Sequence, residues 1–164
     1  MSAPKQDSDE KLIFLRVVGG EAPGSTLAQR VGPLGISAKV VGEDIKKVTA
    51  KYQGMKVGVL LRIKDRKAAV EVILSTANLV IEALNEPPRD RKKVKNINHS
   101  GDLSMTDIVI IGRKVATKAY SKTLTGTVKQ VLGTCLSVGC TVEGKNPKTV
   151  IREINEGMVT LPAE

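Results

Sequence analysis

The ten residues VLGTCLSVGC (131–140) decide how the second half of this chain is read. Apolar residues recur there at helical spacing. With the helix extended back to Thr125, Val128, Leu132, Cys135 and Leu136 fall at i, i+4, i+7 and i+8 and form one apolar face. Gln130, Gly133, Thr134 and Ser137 fall at i, i+3, i+4 and i+7. They form a second row with no large apolar side chain and no charge. A glycine inside a helix costs about 1 kcal/mol relative to alanine. Two arrangements offset that cost. A neighbouring helix can pack close against Gly133, or a nucleic-acid backbone can lie there, within reach of the Thr134 and Ser137 hydroxyls. Spacing leaves both open.

The cysteines in this stretch do not suggest metal or redox chemistry. A structural zinc site takes about four ligands, and the chain offers Cys135, Cys140 and a single histidine, His99. Cys-x4-Cys is not the redox Cys-x-x-Cys spacing. Both thiols are expected to be buried and inert, since free cysteine behaves as a small hydrophobe. No metal and no cofactor is expected.

Upstream, Ser104 and Asp107 have the spacing of a capping box and open a helix that runs to about Ala119. Ala77–Leu84 reads as a shorter helix that ends before Pro87 and Pro88. Five of the seven residues from Arg89 to Lys95 are basic. That segment is either a solvated loop or a loop ordered by phosphates. Residues 76–143 therefore predict an all-α domain of three helices. The extension 144–164 holds one short amphipathic helix.

The first half has a different period. Lys11–Val18 is rich in branched and aliphatic residues and predicts a strand. The glycine- and proline-rich segment 19–35 reads as a loop, with one helical turn around Ser25–Arg30. Its VGPLG (31–35) precedes a helix but matches neither GxxxxGK[ST] nor GxGxxG, which argues against a nucleotide cradle. It is either a plain turn or a rigid one that presents Gln29, Arg30, Gly32 and Pro33 to a partner. Ser37 is placed to cap a helix with Val41, Ile45, Val48 and Tyr52 on its core stripe. Val57, Val59, Leu61 and Ile63 alternate as in a half-buried strand, Lys64–Lys67 reads as a turn, and Ala69–Ser75 as a third strand. Residues 11–75 predict a small α/β domain, a three-stranded sheet with helices, after a flexible tail at 1–10. The fold class is α+β.

The chain has 26 lysines and arginines against 17 acidic residues, a net charge of +9, which favours a polyanionic partner. Phe14, Tyr52 and Tyr120 are its only aromatics. Two of these fall on strands or core stripes, which leaves no platform of stacked rings, so nucleic acid would be read through backbone, shape and folded loops. No apolar run approaches the roughly 18 residues of a membrane span, and the polar, acidic start is unlike a signal peptide. An intracellular, soluble protein with no membrane partner and no small-molecule substrate is expected. One histidine and no nucleophile–base pair argue against an enzyme. The rival binding mode is a helix-turn-helix protein with helix 125–138 in a DNA major groove. That helix has no arginine or asparagine, and Lys129 and Gln130 are its only long polar readers, which argues against base-edge recognition.

Taken in order, QRVGPLGISAK (29–39), GMKVGVLLRIKDR (54–66), GDLSMTDI (101–108) and VLGTCLSVGCTVEG (131–144) resemble the large-subunit ribosomal stalk-base family, protein eleven in bacteria and twelve in eukaryotes. The pattern is similar to its eukaryotic or archaeal branch and covers about residues 11–143. The resemblance implies a structural protein in which a C-terminal domain grips large-subunit rRNA at the GTPase-associated centre. The N-terminal domain would face translation elongation-factor GTPases and the acidic stalk protein. It assigns RNA contact to Gly133, Thr134, Ser137 and Gly139, to Ser121, Lys122 and Thr123, and to Lys92, Lys93 and Lys95 of the basic loop. It assigns the factor-facing role to Gln29, Arg30, Gly32 and Pro33. It also implies a cytoplasmic ribosome with nucleolar assembly in a eukaryote, and a domain join near 75–77. Bacterial members carry paired prolines where this chain has Gln29 and Arg30, so their thiazole-antibiotic site does not carry over.

Overall fold

Val57, Val59, Leu61 and Ile63 line one side of β2 (Lys56–Lys64) and are all buried, as their alternation requires. The computed structural model describes residues 10–87, 93–94 and 98–162. It divides into two compact units, Met1–Leu74 and Ser75–Glu164.

In the first unit β2 is the central strand. It pairs antiparallel with β1 (Lys11–Val18), Leu15 opposite Val59, and with β3 (Lys67–Ile73), Val59 opposite Val72. The buried face of the sheet packs with Leu27 and Val31 of α1 (Ser25–Val31) and Val41 and Ile45 of α2 (Ala38–Val48) in one core. The segment expected to be mostly loop thus contains a two-turn helix, because Leu27 and Val31, four residues apart, both reach that core. Ser37 sits at the N-cap of α2, but its side chain makes no capping hydrogen bond.

One core assignment in this unit fails. Val48 is 46% exposed, because α2 ends there and the chain turns into the 3-10 segment Ala50–Tyr52. Phe14 is 55% exposed, because strand parity puts it on the uncovered side of β1, where its ring lies over Gly58. The β2–β3 turn falls at Lys64–Lys67 as expected, but β3 starts at Lys67, two residues before the expected start at Ala69. Lys64 pairs with Lys67, and only Asp65 and Arg66, both with positive φ, lie between.

The second unit holds α3 (Thr76–Leu84), α4 (Met105–Val115), α5 (Leu124–Val138) and α6 (Pro147–Asn155). Ser104 and Asp107 form the expected capping box, and Ser75 with Asn78 forms a second on α3. Val80, Ile108, Ile111, Val128, Leu132 and Cys135 lie in one core. Val150 and Ile154 of α6 lie in the same core, so the short amphipathic helix of the tail belongs to this unit. The unit also carries a two-residue parallel pair, β4 (Asp102–Leu103) with β5 (Thr141–Val142), which ties the start of α4 to the end of α5. Asp102 Oδ1 accepts from Gly144 N–H at 2.8 Å and from the Thr141 hydroxyl at 2.7 Å, and these two bonds hold its carboxyl below the ordinary value. Among the described residues no helix is long and apolar enough to cross a membrane.

The Val18-Gly19-Gly20 end of β1 is stitched to the chain that follows α2. Gly19 N–H donates to Met55 O at 2.8 Å, and Gly20 N–H donates to Thr49 Oγ1 at 3.2 Å. A Cβ on Gly19 would collide with the Tyr52 carbonyl, a backbone group that cannot swing aside. Gly19→Ala is expected to destabilise the first unit by about 1–3 kcal/mol in urea unfolding. An unchanged midpoint would contradict this account of the junction.

Candidate nucleic-acid interface

The core face of α5 is Leu124, Thr127, Val128, Val131, Leu132 and Cys135, all buried. This shifts the expected face: Leu136 is 37% exposed and Val131 is fully buried. Residues 128, 131, 132 and 135 cluster within one arc of the helix, and Leu136 lies about 80° round from Val128, beyond the edge of that arc. On the opposite side Gln130, Gly133 and Ser137 are exposed, and Gly126 is half-buried at the head of the same row. From Gly126 to Ser137 the row spans about 16 Å at 1.5 Å per residue.

The two explanations for a glycine inside a helix are divided between two residues. Gly112 in α4 is buried, and a Cβ there would press on Val128 Cγ2 at 3.3 Å, so Gly112 lets α4 approach α5. Gly133 has no described atom within 4 Å of where its Cβ would stand. Nothing described in the chain's own packing requires a glycine at 133.

The hydroxyls on this surface differ in what they can offer. Thr134 Oγ1 donates to Gln130 O at 3.2 Å and so keeps only its acceptor lone pairs for a ligand. Ser137 is exposed. At the N-terminal end of the row, Thr123 caps α5 by accepting from Gly126 N–H at 3.2 Å. Ser121 Oγ donates to Thr123 O at 2.8 Å and sits over Gly126, where a Cβ would run into it. Two of the three loop residues are therefore committed to bracing, and Lys122 stands exposed between them.

The C-terminal end of the row is closed by Gly139, exposed and left-handed at φ +98°, whose N–H donates to Cys135 O at 2.9 Å. Beside it runs the segment that follows the basic loop. His99 N–H donates to Val138 O at 3.2 Å, and the His99 carbonyl would be 3.1 Å from a Cβ on Gly139. His99 Nδ1 lies 2.6 Å from Glu86 Oε2, and Gly101 N–H donates to Glu86 Oε1 at 3.2 Å. Glu86 precedes the basic loop and His99 follows it, so this contact draws the two ends of the loop together beside α5. Lys93 is exposed, and Lys92 and Lys95 lie outside the described residues.

In the first unit, Gln29, Arg30, Gly32 and Pro33 are all exposed. Leu27 and Val31, both fully buried, anchor the helix that carries Gln29 and Arg30, and Gly32 and Pro33 lie in the 3-10 turn Gly32–Leu34 that follows it. Arg30 Nη1 donates to Phe14 O at 3.3 Å, across to the edge strand β1.

One residue of the second unit was missed by sequence reasoning. Tyr120 is 99% exposed, next to the loop that caps α5. The available signal was that it belongs to no apolar stripe and lies between Lys118 and Lys122.

A helical unit that turns a bare, cation-flanked helix face to solvent has the form of a backbone-reading nucleic-acid binder. Residues 13–68 match the family model described as ribosomal protein L11, N-terminal domain, and residues 73–142 match ribosomal protein L11, RNA binding domain. The chain belongs to the ribosomal protein L11 family. It is 63% identical over 157 residues to large ribosomal subunit protein uL11 of Encephalitozoon cuniculi, covering 95% of each chain. It is 54% identical over 163 residues to uL11A of Schizosaccharomyces pombe, covering 98% of this chain and 99% of that one. It is 48% identical over 163 residues to uL11 of Caenorhabditis elegans, with the same coverage. The protein is thus a ribosomal structural protein with an RNA-binding domain, and not an enzyme.

Cys135 and Cys140 are both buried free thiols, with Cys140 Sγ 3.6 Å from Cys135 O. Burial, reinforced by the neighbouring Cys140, pushes the Cys135 thiol up to about 12, and burial also raises Cys140. The reactive form is the thiolate. An aromatic disulfide reagent at neutral pH is expected to titrate neither cysteine in the native protein and both after denaturation. Rapid native reaction at Cys135 would overturn the structural assignment of that thiol.

Proposed function

We propose that this protein is a component of the large ribosomal subunit whose helical unit holds folded large-subunit rRNA at the GTPase-associated centre and forms the stalk base. The observation that carries this reading is the open, uncrowded row along α5, centred on Gly133. An RNA backbone can lie directly on bare helix there, with Ser137 and Thr134 beside it. Ser121, Lys122 and Thr123 flank one end and Gly139 the other, and Lys92, Lys93 and Lys95 of the basic loop add charge for the same ligand. Positive charge draws the polyanion in, and the small residues set how close it comes.

The α/β unit is the part that meets translation elongation-factor GTPases and the acidic stalk protein, through the exposed turn of Gln29, Arg30, Gly32 and Pro33. What supports this is its presentation: Gln29 and Arg30 are exposed on a short helix pinned by Leu27 and Val31, Gly32 and Pro33 are exposed in the 3-10 turn that follows it, and Arg30 is held across the sheet edge. Its contribution to GTP hydrolysis is positional, since a protein can speed phosphoryl transfer by orienting another enzyme's groups. The ribosome of the cytoplasm is its place of work, with assembly in the nucleolus.

Two separate cores allow the two roles to be tested separately. Deleting residues 1–74 is expected to leave affinity for an rRNA fragment carrying the GTPase-associated centre within about twofold, while lowering factor-dependent GTP turnover on reconstituted ribosomes. Loss of rRNA binding by a variant that retains helical circular dichroism would contradict this division of labour.

A further inference from the structure

Tyr120 is the most exposed large hydrophobic residue among those described, at 99%, and one of only three aromatics in the chain. Its surroundings are not loose. Ala119 N–H donates to Ala116 O at 3.3 Å on one side. On the other, the Ser121 hydroxyl is tied to Thr123, donating to its carbonyl at 2.8 Å and accepting from its N–H at 3.3 Å. The backbone beside Tyr120 is braced while the ring itself stands in water.

Its position follows from the same contacts. Ser121 lies over Gly126, and Gly126 heads the open row that continues through Gln130 and Gly133 to Ser137. Tyr120 is therefore next in the chain to the residue that covers the N-terminal end of the row, and in sequence it lies between the exposed Lys118 and Lys122. An aromatic face flanked by cations is what holds an unstacked base while its phosphates are neutralised. A paired duplex offers no base face to such a ring, so the occupant is a base turned out of the folded chain where the RNA reaches the start of α5.

We propose that Tyr120 is an RNA-binding residue that stacks on one unpaired base of the folded RNA. The proposal rests on the reading of α5 as the RNA-contact helix, and it adds a base-stacking contact to an interface otherwise built from backbone contacts.

The test uses the full-length protein and an rRNA fragment carrying the GTPase-associated centre, with affinity measured over a series of salt concentrations. Tyr120→Ala is expected to weaken binding roughly 5- to 150-fold, the range for loss of one stacked base. The slope of log K against log salt should not change, because no phosphate contact is removed. Lys122→Ala is the contrasting variant, and should lower that slope by about 0.7–0.9. Tyr120→Phe should bind as the wild type does. The chain has no tryptophan, so Tyr120→Trp provides a single emitter, whose fluorescence should be quenched when RNA binds. The ring touches no core, so none of these variants should change the unfolding midpoint.

Wild-type affinity in Tyr120→Ala would overturn the proposal and leave the RNA-contact helix standing. So would unchanged tryptophan emission from Tyr120→Trp with RNA bound. Equal losses in Tyr120→Phe and Tyr120→Ala would also overturn it, because the hydroxyl rather than the ring would then be the contact. Failure of the wild-type protein to bind the fragment would remove the underlying reading together with the proposal.

Discussion

The structure depends on one constraint: α5 must be buried along one side and bare along the other. Its inner side is continuous, with Val128, Val131, Leu132 and Cys135 all fully buried. That burial holds the helix in place without help from the outer side. The outer side is then free to carry Gly133, which an isolated helix would disfavour. Both ends are also fixed, by the Thr123 cap at the start and by left-handed Gly139 at the finish. A helix secured on one face and at both ends can present backbone on the other without fraying.

The rest of the helical unit serves that presentation. Gly112 lets α4 lie close to α5 at Val128, which keeps the inner contact tight. The β4–β5 pair and the Glu86–His99 contact bring the chain that follows the basic loop to the C-terminal end of the row. The result is a surface with small residues in the middle and the exposed Lys122 at its N-terminal end. This suits a ligand recognised by shape and charge rather than by base sequence. The proposed interface therefore needs few long polar side chains on α5.

Much of the fold could be read from the sequence where a period was long enough to count. The alternation at 57–63 and the Ser104–Asp107 cap each carry their geometry in their spacing. Failures came at the ends and edges of elements. Val48 keeps helical phase but lies where α2 stops, so it meets no core. Leu136 fits an i+4 rule from Leu132 while lying round the helix from the side that α3, α4 and α6 cover. The β4–β5 pair has two residues per strand, too few to show any alternation. Of the interface, spacing picked out the row of small residues but could not say which glycine served packing and which lay open. Only the three-dimensional neighbours of Gly112 and Gly133 separate the two. Tyr120 was overlooked because a ring that belongs to no stripe leaves no periodic trace.

The central claim is that α5 keeps Gly133 for a ligand and not for its own stability. Replacing it with alanine and then leucine, and measuring unfolding free energy and rRNA affinity on the same variants, tests this most directly. The account predicts that alanine stabilises the protein by about 1 kcal/mol, while affinity falls at alanine and falls further at leucine. A leucine variant that is folded and binds rRNA as tightly as the wild type would contradict it.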